Sequence, residues 1–184
     1  IGLGIPAEPL FRSASPERGT GSLSYTPPGY PEQSVNFGAT TYDWGNMPNS
    51  LEASSSPEQI SAVATLIWHC GVSTYMQYGY DGSGTVLYYN TLIDYFNYSD
   101  EMTRESRLDY SDATWKAKLK DCLDMGRPIH YSGMMSVGNH AVVCDGYDGN
   151  DMFHFNMGWG AGGSFVALEA ICPRRNDIAI FNIH

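Results

Sequence analysis

The chain has 184 residues, 42% hydrophobic and 16% charged, enough for one globular domain with a sizeable core, and length alone calls for no second domain. Ten Lys+Arg against 20 Asp+Glu give a formal charge of -10, which repels phosphate backbones and anionic headgroups and so argues against nucleic acid and membrane as partners. The longest apolar runs, such as Ile60 to Trp68, stop well short of the ~20 residues of a membrane span, and no basic stretch followed by an apolar one opens the chain. A soluble protein is expected, with any export signal absent or removed.

The 20 Gly, 13 Tyr and 10 Pro favour strands and turns over helices. Residues Ile1 to Ser15 carry no sustained period, and Pro6 and Pro9 interrupt either element. This stretch is expected to be irregular, with a single domain over 16–184. From Arg18 to Pro48 short Tyr/Thr/Val/Phe stretches alternate with Gly and Pro-Pro-Gly, which predicts short strands and extended loops, closed by a turn at Asp43 to Pro48.

The strongest helix signal follows. Ser56 is an N-cap and Pro57 takes the first helical position. Ile60, Val63, Ala64 and Ile67 share a face, and Gly71 is the predicted stop. A second helix is predicted over Val86 to Phe96 after the Asp81-Gly82-Ser83-Gly84 loop, and a third over Asp112 to Met125, with Trp115, Leu119, Cys122 and Leu123 as its apolar stripe. Beyond Pro128 the period becomes that of strands: Ile129 to Ser132, Ala141 to Asp145, Met152 to Asn156, Ser164 to Leu168 and Ile178 to Ile183. Helices followed by strands, without βαβ alternation, predict an α+β fold with an antiparallel sheet.

Chemistry concentrates in Gly138-Asn139-His140-Ala141-Val142-Val143-Cys144-Asp145-Gly146-Tyr147-Asp148 and Phe153-His154-Phe155-Asn156-Met157-Gly158-Trp159-Gly160, which read as consecutive strands joined at Asp148-Gly149-Asn150. With a three-residue loop, Val142 is expected opposite Asn156 and His140 on the same face as Asn156. The amide oxygen of Asn156 then accepts from one imidazole nitrogen and leaves the other as a base. The competing reading is a His and an Asn that satisfy each other at a sheet edge.

GNHAVVCDGYDGNDMFHFNMGWG resembles the catalytic-histidine hairpin of the streptopain family of papain-like cysteine peptidases. The likeness extends to Gly126-Arg127-Pro128-Ile129-His130-Tyr131-Ser132-Gly133, to His69-Cys70-Gly71-Val72-Ser73 with Tyr78-Gly79 and Gly82-Ser83-Gly84, and to Thr40 through Pro48. It covers about Pro16 to the C-terminus and implies a papain-like fold and proteolysis without a cofactor, on peptides or proteins outside a bacterial cell. By resemblance, His140 is the catalytic base and Asn156 its orienting partner, with substrate contacts at Trp159, Gly138, Ser73 and Gly158. The sequence departs from the family pattern at Asn139, usually glycine, and at Met157, usually a tryptophan that covers the catalytic face.

No cysteine suits the nucleophile, which in papain-like enzymes opens a helix whose positive end favours the thiolate. Cys70 ends the first predicted helix and Cys122 lies on a buried stripe. Cys144 shares a strand face with His140 but stands about 13 Å from it along the chain, and Cys172 sits in a loop before Pro173. Four cysteines allow two disulfides, but buried thiols are the simpler expectation. Papain-type chain order places the cysteine roughly 130 to 150 residues before the histidine, near or before residue 10, where no cysteine stands. The nucleophile is therefore expected upstream, on a removed or separate N-terminal chain, or lost through a frameshift or real degeneration. The alternatives to a peptidase are a non-catalytic peptide-binding module and, as a third reading, a metal site drawn from His69, Cys70, His130, His140, Cys144 and His154.

Overall fold

The computed structural model describes residues 18–85, 90–135, 138–159, 163–173 and 176–183. The segment 1–15, predicted to be irregular, lies outside the described residues, as do 86–89 of the second predicted helix. Two compact units divide the chain, one reaching to Asp100 and one starting at Glu101.

In the first unit, β1 (Ser22–Tyr25) and β2 (Gln33–Asn36) pair antiparallel with Leu23 opposite Val35. A 3-10 turn at Trp44–Asn46, capped by Asp43, stands where the sequence predicts a turn. Helix α1 (Pro57–Ser73) starts as its signals require: Ser56 accepts from the Gln59 N–H and the Gln59 side chain closes the capping box.

The predicted stop of α1 is wrong, because Gly71 lies inside the helix and Thr74 caps it. This glycine is needed for close approach: a Cβ there would collide with the Tyr78 hydroxyl. The predicted face is also rotated, since Leu66, His69 and Val72 are buried whereas Ile60 and Ile67 are exposed. A period count scores His69 as polar, yet it is a core residue. Its Nδ1 lies 3.0 Å from the Tyr42 hydroxyl and its ring packs edge-on against Phe37, and burial holds its pKa below the usual histidine range. Helix α2 (Asn90–Phe96) adds Phe96 to the same aromatic cluster.

The second unit is an antiparallel sheet whose described strands run β3-β8-β4-β5-β6-β7. They are β3 (Thr103–Ser106), β4 (Ile129–Met135), β5 (Gly138–Tyr147), β6 (Phe153–Asn156), β7 (Ser164–Val166) and β8 (Ile178–Phe181). Helix α3 (Asp112–Asp124) lies on one face. Ser111 caps it, and Gly126 at φ 71 lets the Arg127 N–H reach back to the Cys122 carbonyl. Trp115, Leu119 and Cys122 are buried with Ile129, Tyr131, Val142, Cys144, Phe153, Phe155 and Phe181 in one core.

The order of helices followed by strands fails at β3, which precedes α3 and pairs with β8. Thr-Arg-Glu-Ser is polar on both faces because it is an edge strand, so no alternation betrays it. The strand predicted to Leu168 ends at Val166, and a short helix α4 (Leu168–Ile171) follows. Under this layer Arg107, with no exposed surface, pairs with Asp112 at 2.9 Å, Glu169 at 3.3 Å and the equally buried Asp177 at 3.3 Å. Tyr131 also donates to Asp177, and Trp115 Nε1 donates to Tyr131 Oη at 3.2 Å. Burial raises the Asp177 carboxyl above its ordinary range in spite of Arg107.

Candidate active site

The β5–β6 hairpin turns through three residues, Gly149 to Asp151, one position later than the Asp148-Gly149-Asn150 loop that the expected register assumed. Tyr147 pairs with Phe153, Asp148 N–H donates to the Met152 carbonyl at 2.9 Å, and Asp151 takes the left-handed conformation at φ 60. Asp148 Oδ1 stitches the turn by accepting from the Asn150 and Met152 N–H groups. A bulge then shifts the register between Cys144 and Gly146.

That shift corrects the expected facing. Val143, not Val142, stands opposite Asn156, so strand alternation sends His140 to the face of Val142 and Cys144, away from Asn156. The two side chains are not hydrogen-bonded to each other. Asn156 is 8% exposed and its Oδ1 accepts from the Gly158 N–H at 2.9 Å, which fixes the turn leaving β6.

His140 has a different partner: its Nε2 lies 3.0 Å from the Met157 carbonyl. A carbonyl can only accept, so Nε2 carries the hydrogen, and in the neutral ring Nδ1 keeps the lone pair that a general base needs. Trp159 covers the imidazole, ring centroids 4.7 Å apart and planes tilted by 31°. The tryptophan side chain remains 59% exposed and forms a wall beside the histidine. Thus His140, Met157 and Trp159 come together, with Asn156 bracing the turn and Gly138 two residues before His140 on β5. Gly158 serves through its backbone N–H. Ser73 belongs to the other unit, buried in the last turn of α1, where its hydroxyl donates to the Cys70 carbonyl at 2.9 Å. No side-chain pattern could have pointed to Met157, since the group it supplies is main chain.

The four thiols are all free and all pushed upward by burial, Cys70 to about 12 and Cys122, Cys144 and Cys172 in the same direction. Cys70 sits in the C-terminal part of α1, and Cys172 caps the C-terminus of α4 rather than lying in a free loop. Both are at the negative ends of their helices, where the backbone opposes a thiolate. Among the described residues no group of three His, Cys, Asp or Glu is placed to hold a metal ion. Nor is any described helix long and apolar enough to cross a membrane.

A second ionisable pair, not singled out by the sequence, lies on the same hairpin: His154 Nδ1 meets Asp145 Oδ1. Asp145 stands at the bulge, and the only signal for it in the sequence is the Asp-Gly step that follows Cys144.

The profile of the peptidase C10 family matches residues 10–164. The thiol protease/hemagglutinin PrtT of Porphyromonas gingivalis is 33% identical over 150 residues, 79% of this chain and 17% of that protein. Streptopain of Streptococcus pyogenes is 32% identical over 135 residues, 72% of this chain and 34% of that protein. The chain therefore spans about a third or less of the length of these relatives. Among solved structures, active wild-type interpain A, a cysteine protease of Prevotella intermedia, superposes with a TM-score of 0.80 at 29% identity, over 90% of this chain and 75% of that one. A prointerpain A fragment gives 0.76 at 30% identity, over 90% and 56%. The fold is α+β and papain-like, and the chain belongs to the peptidase C10 family, the streptopain family of cysteine peptidases.

Proposed function

We propose that this chain is the histidine-bearing part of a cysteine-type endopeptidase. In it, residues 16–184 make up one peptidase domain from the two compact units, and a nucleophilic cysteine comes from sequence outside these 184 residues. His140 is the general base. Its Nε2–H is held by the Met157 carbonyl, Nδ1 takes the thiol proton, and Asn156 acts at one remove by fixing the turn that presents both Met157 and Trp159. Trp159, Gly138 and Gly158 border the peptide, and the Ser73 hydroxyl donates its proton to the Cys70 carbonyl within α1.

The observation that carries this reading is the His140–Met157 hydrogen bond beneath Trp159, in a member of a cysteine peptidase family. The outward face of α1 supports the missing partner. Ile60, Ile67 and Trp68 are 47%, 38% and 43% exposed and recur at helical spacing, the kind of surface a nucleophile-bearing segment would cover. A bacterial protein acting on peptides at or outside the cell surface fits the organisms of its relatives.

The protein expressed with its native flanking sequence should label with a thiol-directed active-site probe and hydrolyse a peptide, both abolished by His140→Ala. Absence of labelling in that full product would sink the proposal. A second reading, a non-catalytic peptide-binding module, is favoured by the four unactivated thiols, three of them buried. Peptide binding without turnover by the full product would establish it.

A further inference from the structure

Cys172 has no part in the proposed chemistry, since its thiol is free, fully buried and kept neutral by burial. Its place is nevertheless beside the base. On the core face β4 and β5 pair row by row, Ile129 opposite Cys144, Tyr131 opposite Val142 and Gly133 opposite His140. In the first two rows two buried side chains meet. In the third, β4 offers His140 only backbone.

The gap is filled from α4. A Cβ at Gly133 would stand 2.6 Å from Cys172 Sγ, 3.1 Å from Asp177 Cα and 3.3 Å from Asp177 Cβ, so the sulfur occupies the place of a side chain at 133. Directly opposed residues of an antiparallel pair have Cβ atoms about 4.5–5.5 Å apart, which makes this sulfur the cross-strand neighbour of His140. The seat is rigid. Cys172 is the C-cap of α4 and its N–H donates to the carbonyl of the buried Leu168 at 3.0 Å, while Asp177 is pinned by Arg107 and Tyr131. Only a bare residue at 133 leaves room for the sulfur, and a thiol packs there as a small apolar group.

We propose that Cys172 is a positioning residue: its sulfur, seated on Gly133, closes the β4 side of the His140 imidazole and keeps Nε2 on the Met157 carbonyl. Trp159 covers the ring and the carbonyl holds one nitrogen. The sulfur removes the freedom that the missing side chain at 133 would otherwise leave. This rests on the reading of His140 as the base, but the test reads tautomer and proton exchange, which need no nucleophile, so failure of the peptidase reading is not confused with failure of this one.

The test is long-range ¹H–¹⁵N NMR of the His140 imidazole in the 184-residue chain and in Cys172→Ala, Cys172→Ser, Gly133→Ala and the double variant Gly133→Ala/Cys172→Ala. Cys122→Ala, which removes another buried thiol of the same core, is the control. Cys172→Ala should move the two ring nitrogens toward the averaged shifts of mixed tautomers and speed exchange of the Nε2 proton with water. Gly133→Ala, whose methyl displaces the sulfur, should do the same. In the double variant the methyl takes the place that the sulfur leaves, and the parental shifts should return. Cys172→Ser, with a smaller side chain still present, should move them less than alanine does, and Cys122→Ala should not move them. Parental His140 spectra in Cys172→Ala or Gly133→Ala, or an equal change in Cys122→Ala, would overturn the proposal and leave Cys172 as core packing alone. Should either alanine variant fail to fold, Cys172→Ser decides, and parental spectra in it would refute the proposal.

Discussion

His130 offers a sharp test of the packing in the second unit. It sits on β4 between Val143 of β5 and Ile180 of β8, and its Nδ1 is buried with no hydrogen-bond partner. Burial drives its pKa from about 6.5 down to about 4, because a charged imidazole there would lose its hydration and regain only a backbone hydrogen bond. The folded value lies below the unfolded one. Between pH 6.5 and 4 the unfolded chain therefore takes up a proton that the folded chain refuses, and stability falls as pH falls through that window. At about 1.4 kcal/mol for each pH unit, the full loss is about 3 kcal/mol. Urea denaturation at intervals from pH 7.5 to 4, followed by tryptophan fluorescence, should show His130→Leu losing about 3 kcal/mol less than the parent over this range. His69 is depressed by burial too, but it is present in both proteins and cancels in the difference. Parallel stability curves for parent and variant would refute the account, and would mean that water or a rearranged neighbour solvates His130.

Other consequences are as direct. Arg107→Met strands the buried Asp177 carboxylate and should cost about 3–5 kcal/mol in thermal or urea unfolding, with part regained in the double variant Arg107→Met/Asp177→Leu. Gly71→Ala should lower stability by about 1–3 kcal/mol, although alanine is the better helix former, because its methyl meets the Tyr78 hydroxyl; adding Tyr78→Phe should restore most of the loss. Ser56→Ala removes one half of the capping box and should cost about 1 kcal/mol, read as a lower urea midpoint of the first unit.

The elements that the sequence made legible were those with chemical punctuation. Ser56-Pro57 fixed the start of α1 and Gly126-Pro128 the end of α3, because caps and stops act through the residue's own backbone and side chain. The stripe of α3 was right since Trp115, Leu119 and Cys122 have no other place to go. The face of α1 was misread for the converse reason. His69 counts as polar in any periodic sum, yet a hydroxyl from Tyr42 and rings from Phe37 and Trp68 make it a core residue. Likewise β3 owes its existence to its partner β8, and a strand stabilised by pairing alone leaves no mark on its own residues.

The geometry of the β5–β6 hairpin turns on a single residue. Its two strands and its histidine could be read from the order of side chains, whereas its three-residue loop was an assumption placed one position too early. Which side chains face each other could not be read, because one extra residue at Asp145 reverses the relation between everything upstream of it and β6. Without the bulge, the register set at Tyr147 and Phe153 would put Asn156 opposite Cys144, on the same face as His140 but about 13 Å from it along the strand. With it, Asn156 faces the other way, and its amide is used on the Gly158 N–H, while the orienting acceptor for His140 becomes the next residue's carbonyl. A backbone acceptor makes the same demand on the imidazole as an amide side chain but is indifferent to the side chain at 157. It follows that methionine can stand where the family usually has tryptophan without loss of the histidine's orientation, provided that Trp159 supplies the cover. Met157→Ala should then leave the Nε2–H tautomer of His140 intact, while Trp159→Ala should expose the His140–Met157 hydrogen bond to water and speed exchange of the Nε2 proton. Equal exchange rates in the two variants would show that neither side chain shields that bond.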